Sequence, residues 1–340
     1  MAIKQVQKTT DFSLALMRWF RENGRELPWR ETNDPYAIWL SEIILQQTQV
    51  KQGWAYWERF MQRWPTVESL ANATEDEVLR EWQGLGYYSR ARNLHFAARQ
   101  IVEMGGFPQT LEGIKALKGV GDYTAAAIGS FAFGLPTAVV DGNVYRVLSR
   151  HFGIETPINT TEGKKEFQAL AESLLPSSDY GTYNQAIMDF GATQCTPQSP
   201  KCVVCPLQES CVALRNGKVN ILPVKEKTLK VKKRHLIYIY VSCQGMSAIH
   251  RRGEGDIWQG LYEPWLVESD KCKVISDKSS LKMIAKGVKH VLTHQVITAD
   301  FYLWETDEHP TLPDDYIWIK EEDIDNYAIP RLIDILLTKL

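Results

Sequence analysis

Residues 117–127 read Leu-Lys-Gly-Val-Gly-Asp-Tyr-Thr-Ala-Ala-Ala. Two glycines flank Val120 and lead straight into a run of small residues, which predicts a tight hairpin followed at once by a helix. Such a turn exposes backbone N–H groups at a helix amino terminus, and together these can hold a phosphate without any side-chain charge. The spacing is not Gly-x-Gly-x-x-Gly and no strand pattern precedes it, so a dinucleotide-binding fold is disfavoured. Taken alone, the segment could also be a plain packing corner between two helices.

Outward from the hairpin the pattern is helical. Asp11 is placed to cap a helix carrying Phe12, Leu16, Trp19 and Phe20, with Gly24 closing it. Asp34-Pro35 starts another, whose Tyr36, Ile38, Trp39, Leu40, Ile43, Ile44 and Leu45 cover most of its circumference. Further helices are expected near 75–83, 90–103, 124–133, 142–151, 162–175 and 182–190. After residue 222 the texture changes. Residues 223–234 have the Pro and charge content of a linker, with six Lys or Arg against one Glu in 225–234. His-Leu-Ile-Tyr-Ile-Tyr-Val-Ser-Cys (235–243) and Val-Ile-Thr-Ala-Asp-Phe-Tyr-Leu-Trp (296–304) read as strands, and residues 331–340 as a closing helix. The expected layout is a mainly α domain over 1–222, a basic linker over 223–234 and an α/β domain over 235–340.

At 340 residues the chain is long enough for two domains, and 44% hydrophobic with 24% charged residues is the composition of an ordinary folded protein. No apolar run is long enough to span a membrane and no signal-peptide pattern opens the chain, which points to the cytosol. Net charge is −2, and it is evenly spread: residues 1–222 carry 22 basic and 23 acidic side chains, residues 223–340 carry 17 and 18. Any nucleic-acid binding must therefore come from local geometry and not from a bulk field.

Four of the six cysteines fall close together as Cys195, Cys202, Cys205 and Cys211, a C-x6-C-x2-C-x5-C run. In a reducing compartment this is no disulfide framework, and four neighbouring thiolates suit zinc or an iron–sulfur cluster. A zinc site usually pairs two short knuckles where this run has one, which favours a [4Fe–4S] cluster. Cys243 and Cys272 lie far off and read as small apolar fillers.

Two carboxylates stand out. Glu42 shares a helix face with Ile38, Trp39 and Leu45, so burial should disfavour its charged form and hold a transferable proton near neutrality, the pattern of a general acid. The alternative is a Glu paired with Arg25 or Arg30. Asp141, in Val139-Val140-Asp141-Gly142-Asn143-Val144, is either a second catalytic carboxylate or simply the cap of the helix that follows.

A hairpin between helices, an Asp about twenty residues beyond it and this cysteine run closely resemble the helix–hairpin–helix DNA glycosylases that carry a [4Fe–4S] cluster. Within that superfamily, Leu-Pro-Trp-Arg (27–30), Trp-Leu-Ser-Glu-Ile-Ile-Leu-Gln-Gln-Thr-Gln-Val (39–50), Gly-Leu-Gly-Tyr-Tyr-Ser-Arg-Ala-Arg-Asn-Leu (84–94) and Asp-Gly-Asn-Val (141–144) are similar to the adenine DNA glycosylases of the MutY type. The endonuclease III type carries a catalytic Lys two residues after the second hairpin glycine. Here Tyr123 stands there, so the amine needed for a Schiff base is absent. Residues 230–340 are similar to the Nudix-like domain with which that family recognises 8-oxoguanine, and Trp258-Gln259-Gly260-Leu261-Tyr262-Glu263 falls where it has Gly-Leu-(Trp/Tyr)-Glu. Residues 266–280 lack the paired acids that bind magnesium in Nudix hydrolases, so diphosphate hydrolysis is not expected. His290-Val291-Leu292-Thr293-His294 takes the place of a loop that usually reads Phe-Ser-His.

The resemblance implies hydrolysis of the N-glycosidic bond of adenine mispaired with 8-oxoguanine or guanine, the base being flipped out of duplex DNA. Glu42 would protonate N7 and later help activate water. Asp141 would stabilise an oxocarbenium-like sugar, with Tyr123 and Asn143 assisting. Arg25, Arg30 and Gln185 would approach the adenine. Gln47, Leu85 and Tyr87 would wedge into the stack opposite it, with Thr48 also against the DNA, while Gly119 and Gly121 hold the phosphate backbone. Leu292, Thr293 and His294 would meet 8-oxoguanine. The cluster on Cys195, Cys202, Cys205 and Cys211 would brace a DNA-contacting loop in a monomeric, nucleoid-associated enzyme. The rival readings are a glycosylase with lyase activity and a DNA-binding iron–sulfur protein without catalysis.

Overall fold

The computed structural model of the chain describes residues 2–226, 231–267 and 281–340. Part of the expected linker (227–230), Cys272 and most of the stretch read for magnesium ligands lie outside the described residues. By its contacts the chain divides into two compact units, residues 1–71 with 96–227, and residues 72–95 with 228–340.

The first unit is helical throughout its described residues. It holds α1 (Ala2–Asn23), α2 (Pro35–Leu45), α3 (Val50–Arg63), α4 (Val67–Ala71), α7 (Leu111–Lys115), α8 (Asp122–Phe133), α9 (Gly142–Phe152), α10 (Thr161–Ser173), α11 (Tyr180–Asp189) and α12 (Val212–Arg215). α5 (Glu75–Glu81) belongs to the second unit, and α6 (Ser89–Glu103) begins in the second and ends in the first. Asp11 does not cap α1, as the sequence reading has it. The helix starts earlier, at Ala2, so Asp11 lies inside it. α2 is its central element. Asp34 accepts from the Tyr36 amide at 3.0 Å and Pro35 occupies the first turn, so the helix starts where the sequence says. Every residue from Tyr36 to Ile44 is buried, and each fully buried Trp39, Leu40 or Ile44 contributes about 1.5–3 kcal/mol by leaving water. A second cluster, including Leu16, Val144, Phe167, Tyr183 and Phe190, packs α1, α9, α10 and α11 together.

In the hairpin, the Val120 amide donates to Leu117 O at 3.1 Å and Val120 is buried, while Gly119 takes a left-handed φ of +79°. That conformation is why a glycine stands there. Gly121 is the N-cap of α8, and a Cβ added to it would meet nothing within 4 Å, so this side of the turn is open.

The second unit is a mixed sheet with a helix against it. Its strands are β1 (Lys232–Cys243), β2 (Met246–Arg251), β3 (Tyr262–Glu263), β4 (Trp265–Val267), β5 (Leu281–Val291), β6 (Gln295–Glu305) and β7 (Tyr316–Lys320), followed by α13 (Arg331–Leu337). The order is β3-β2-β1-β6-β5, with β4 on β1 and β7 on β2; β1 and β6 run parallel from Lys232↔Gln295 to Ser242↔Glu305. Leu236, Tyr238, Phe301, Leu332, Ile333 and Leu336 form its core. The sequence reading placed residues 72–95 in the helical domain. Contacts tie them to the sheet: Arg251 pairs with Glu75 and Asp76 at 2.9 and 2.8 Å, Arg92 Nη1 donates to Gln259 O at 2.6 Å, and Gly260 sits against Leu79. Among the described residues no helix is long and apolar enough to cross a membrane.

Candidate active site

Glu42 lies on the buried face of α2 and is only 7% exposed. It is not the partner of Arg25 or Arg30. Tyr123, in the first turn of α8, donates its hydroxyl to Glu42 Oε2 at 2.9 Å. Burial drives the Glu42 carboxyl up from 4.5 to about 7; the Tyr123 hydrogen bond opposes this, the nearby Asp141 charge adds to it, and Arg30 opposes it. The Tyr123 phenol is itself pushed well above its usual value by burial and by the charges of Glu42 and Asp141, so it stays a donor.

Asp141 is the N-cap of α9 and at the same time faces this site. Its Oδ1 accepts from the Asn143 and Val144 amides, both at 2.8 Å, and its Oδ2 from Asn143 Nδ2 at 2.7 Å. Burial raises its carboxyl, and these three donors together with Arg146 oppose the rise. Glu42 has one donor, with the Arg30 charge nearby, where Asp141 has three donors and the Arg146 charge. The capping reading of Asp141 holds, and capping fixes the direction of its carboxylate.

Arg25 and Arg30 converge on a residue the sequence reading missed. Asp189, at the end of α11 and 0% exposed at its side chain, accepts from the Arg25 amide at 2.9 Å, from Arg25 Nε at 3.0 Å and also from Arg25 Nη2. It further accepts from Arg30 Nη1 and Nη2 at 2.9 and 2.7 Å, and its carboxyl falls to about 2. Gln185 is half-buried one helical turn before Asp189, on the same side of α11. The signal was available: an Asp among Ala186, Ile187, Met188 and Phe190 is the same anomaly that singled out Glu42.

Beyond Asp189 the chain passes through a π-helical turn, Phe190–Gln194, straight to Cys195. Arg146 spans this region, donating to Asn143 Oδ1 at 2.8 Å, Gly191 O at 2.6 Å and Cys195 O at 2.8 Å. Arg150 Nη1 lies 3.4 Å from Cys195 Sγ and donates to Thr196 O at 2.8 Å. Cys195, Cys202, Cys205 and Cys211 line one cavity of about 30 Å³, and none is in a disulfide. Burial pushes the Cys205 thiol up to about 11 and raises Cys202, with the neighbouring sulfurs' charges adding to both. Thiolates so crowded need a cationic centre to form, and this donor set fits an iron–sulfur cluster, whose irons each take one cysteine. No three His, Cys, Asp or Glu side chains among the described residues gather as they would around a single ion.

Gln47 is exposed just after α2 in a left-handed conformation, φ 56°, and the loop is tied to α8 by Gln46 Nε2 donating to Thr124 Oγ1 at 3.1 Å. Thr48 is half-buried beside it, its amide donating to Leu45 O. A left-handed non-glycine costs conformational energy and often marks a working loop.

The second unit has a site of its own. Tyr87, 45% exposed and also left-handed at φ 48°, meets Thr293 hydroxyl to hydroxyl at 2.5 Å. Thr293 and His294 form the tip of the β5–β6 hairpin, closed by the Leu292 amide on Gln295 O at 2.8 Å. With Tyr88, Arg92, Asp256 and Trp258 they line a pocket of about 340 Å³. Leu292 packs into the sheet core. Leu85 is buried, so of the residues assigned to stack insertion Gln47 and Tyr87 stand out to solvent and Leu85 does not. Glu263 is 1% exposed and held by Arg252 Nη1 on both carboxylate oxygens at 2.6 Å and by the Tyr238 hydroxyl at 2.8 Å. It thus anchors the loop that carries Asp256 and Trp258.

Residues 40–176 match the model of the HhH-GPD superfamily of base excision DNA repair proteins, residues 195–211 that of the iron–sulfur binding domain of endonuclease III, and residues 237–339 that of the NUDIX domain. A solved thermostable thymine-DNA glycosylase superposes with a TM-score of 0.58 at 31% identity, over 64% of this chain and all of that one. These place the helical unit and its cysteine loop in one class of repair protein without naming the base. The human adenine DNA glycosylase is 44% identical over 62% of this chain and 40% of its own length; the Buchnera aphidicola (subsp. Baizongia pistaciae) adenine DNA glycosylase is 34% identical over 84% of each. The chain belongs to the adenine DNA glycosylase family. It spans less than half the length of the mammalian relatives it matches.

Proposed function

We propose that this chain is a monofunctional adenine DNA glycosylase that hydrolyses the N-glycosidic bond of adenine opposite 8-oxoguanine or guanine in duplex DNA. The observation that carries the reading is the pair of buried carboxyls with unlike surroundings. Glu42, near 7 and touched by one neutral donor, is still about half protonated at neutrality. It is suited to protonate adenine N7, which turns a poor anionic leaving group into a neutral one. Asp141, fixed by three N–H donors, is aimed without rotational freedom and can stabilise positive charge developing on the sugar. Once the base has left, Glu42 is ionised and can take a proton from the attacking water. Arg25 and Arg30, with Gln185 on the facing helix, border the space for the base.

The hairpin at Gly119 and Gly121 supports a phosphate contact through its open backbone. The Tyr87–Thr293 pair and His294 offer hydroxyl and imidazole groups to the base opposite adenine, which fits a reader of 8-oxoguanine. A bound cluster supplies rigidity by joining the four cysteines of its loop, and Arg146 and Arg150 fasten that loop to α9.

The direct test is Glu42→Gln, which keeps shape and removes the transferable proton. Single-turnover adenine release should fall by ~10²–10⁴-fold, the usual worth of one acid–base group, while duplex binding persists. Activity within about twofold of wild type would remove Glu42 from the chemistry. Borohydride should trap no protein–DNA adduct, because Tyr123 has no amine to form an imine; a trapped adduct would favour a lyase.

A further inference from the structure

Asp189 is fully buried, charged and not used by the reaction as described. Its carboxylate is saturated by N–H donors from Arg25 and Arg30, which leaves it little capacity to hold a substrate atom. Arg30 also donates through Nη1 to Arg25 O at 2.9 Å, so the three residues form one closed unit. Resting on the proposed chemistry, we propose that Asp189 is a positioning residue: it locks Arg25 and Arg30 together beside the adenine space and holds the Arg30 charge in an ion pair there, so that Glu42 retains the proton it delivers.

The argument is electrostatic and geometric together. The groups that act on Glu42 are Tyr123 from α8, Asp141 from the cap of α9 and Arg30 from the short turn at Pro28–Arg30; α3 also packs on α2 but contributes none of them. Arg30 is the one cation among these, and it favours the Glu42 carboxylate. Its guanidinium is 13% exposed, too little for water to screen it. A cation left unpaired in such a place would pull the proton off the catalytic acid. Asp189 cannot be protonated near neutrality, with its carboxyl at about 2, so the pairing is permanent and not a switch. The carboxylate also sits where α11 gives way to the π-helical turn leading to Cys195, so its position is set by the same segment that begins the cluster loop.

The experiment is the pH dependence of single-turnover adenine release by the cluster-loaded full chain. In wild type the rate should fall above the Glu42 value of about 7. In Asp189→Asn this limb should move down by about one pH unit or more, the usual effect of an opposite charge close by. The loss should therefore be about tenfold greater above the limb than below it. Arg30→Gln removes the one cation that acts on Glu42 while Asp189 stays ionised, and its limb should move up. Asp189→Glu keeps the charge and should keep the limb near the wild-type position even where altered geometry lowers the rate at every pH. If Asp189→Asn does not fold, as judged by circular dichroism and duplex binding, the opposite shift in Arg30→Gln decides the matter alone. A limb that stays in place or moves down in Arg30→Gln, or stays in place in a folded Asp189→Asn, overturns the proposal. A basic limb that survives in Glu42→Gln overturns instead the assignment of Glu42 on which it rests.

Discussion

Replacing Glu42 by Gln should make the protein more stable relative to wild type as pH rises, and the size can be worked out. Between 4.5 and about 7 the unfolded carboxyl is ionised while the folded one holds a proton. Folding must therefore take up a proton, and its free energy worsens with rising pH across that window before levelling off above it. The full gap corresponds to about 3 kcal/mol above about pH 8 and to less than about 1 kcal/mol near pH 5. Gln does not titrate, so it escapes this cost, and its amide oxygen can still accept from Tyr123. Terms that do not depend on pH, such as the extra buried N–H of Gln, cancel when the stability difference is compared at two pH values. Between about pH 5 and pH 8.5 the difference should move in favour of Glu42→Gln by about 2–3 kcal/mol, or roughly 4–12 °C in Tm for a unit of this size. Unfolding followed by far-ultraviolet circular dichroism, with the cluster absorbance recorded alongside, gives the number. Stability curves for the two proteins that run parallel across this range would refute the buried, protonated carboxyl.

Tyr123→Phe removes the one hydrogen bond that favours the Glu42 carboxylate, so the basic limb of the pH–rate profile should move up; a downward shift would contradict the bond's role. Cys202→Ser should weaken folding or duplex binding more than it slows adenine release in an already bound complex, and the purified wild-type protein should hold about four irons with negligible zinc. A colourless protein with stoichiometric zinc and full activity would overturn the cluster. His294→Ala should lower the preference for 8-oxoguanine:A over G:A by roughly 5–150-fold, the worth of ~1–3 kcal/mol at one base, with little change in the rate on a saturated 8-oxoguanine:A duplex. An unchanged preference would remove the hairpin tip from recognition.

The sequence made visible those parts of the molecule whose physics is local. Gly119 and Gly121 announce a turn because only glycine takes the φ of +79° at the first of them without strain. Asp34-Pro35 announces a helix start, and Glu42 is conspicuous because a carboxyl on an apolar face contradicts its surroundings. The cysteine run showed by its spacing that four thiolates gather, though not by spacing alone which metal they hold. What stayed hidden depends on partners far along the chain. Nothing near Arg25 or Arg30 says that both end on Asp189, more than 150 residues away, and the sequence reading gave Glu42 that partnership as its alternative. Residues 75–83 read correctly as a helix, yet their contacts with the sheet run through partners such as Arg251, which no local pattern links to Glu75 and Asp76. β5 escaped notice because it is an edge strand with Lys282, Lys286 and Lys289 exposed and two register shifts, so it lacks the continuous apolar run that marked β1.

The central claim, removal of adenine by an acid-assisted hydrolysis that depends on the opposite base, is tested most directly by alkali-revealed strand cleavage under single-turnover conditions on four duplexes. Cleavage at the adenine should occur opposite 8-oxoguanine and opposite guanine, and should be absent with T:A and 8-oxoguanine:C. Cleavage of T:A at a comparable rate, cleavage at the 8-oxoguanine of 8-oxoguanine:C, or no release of adenine opposite 8-oxoguanine would contradict it.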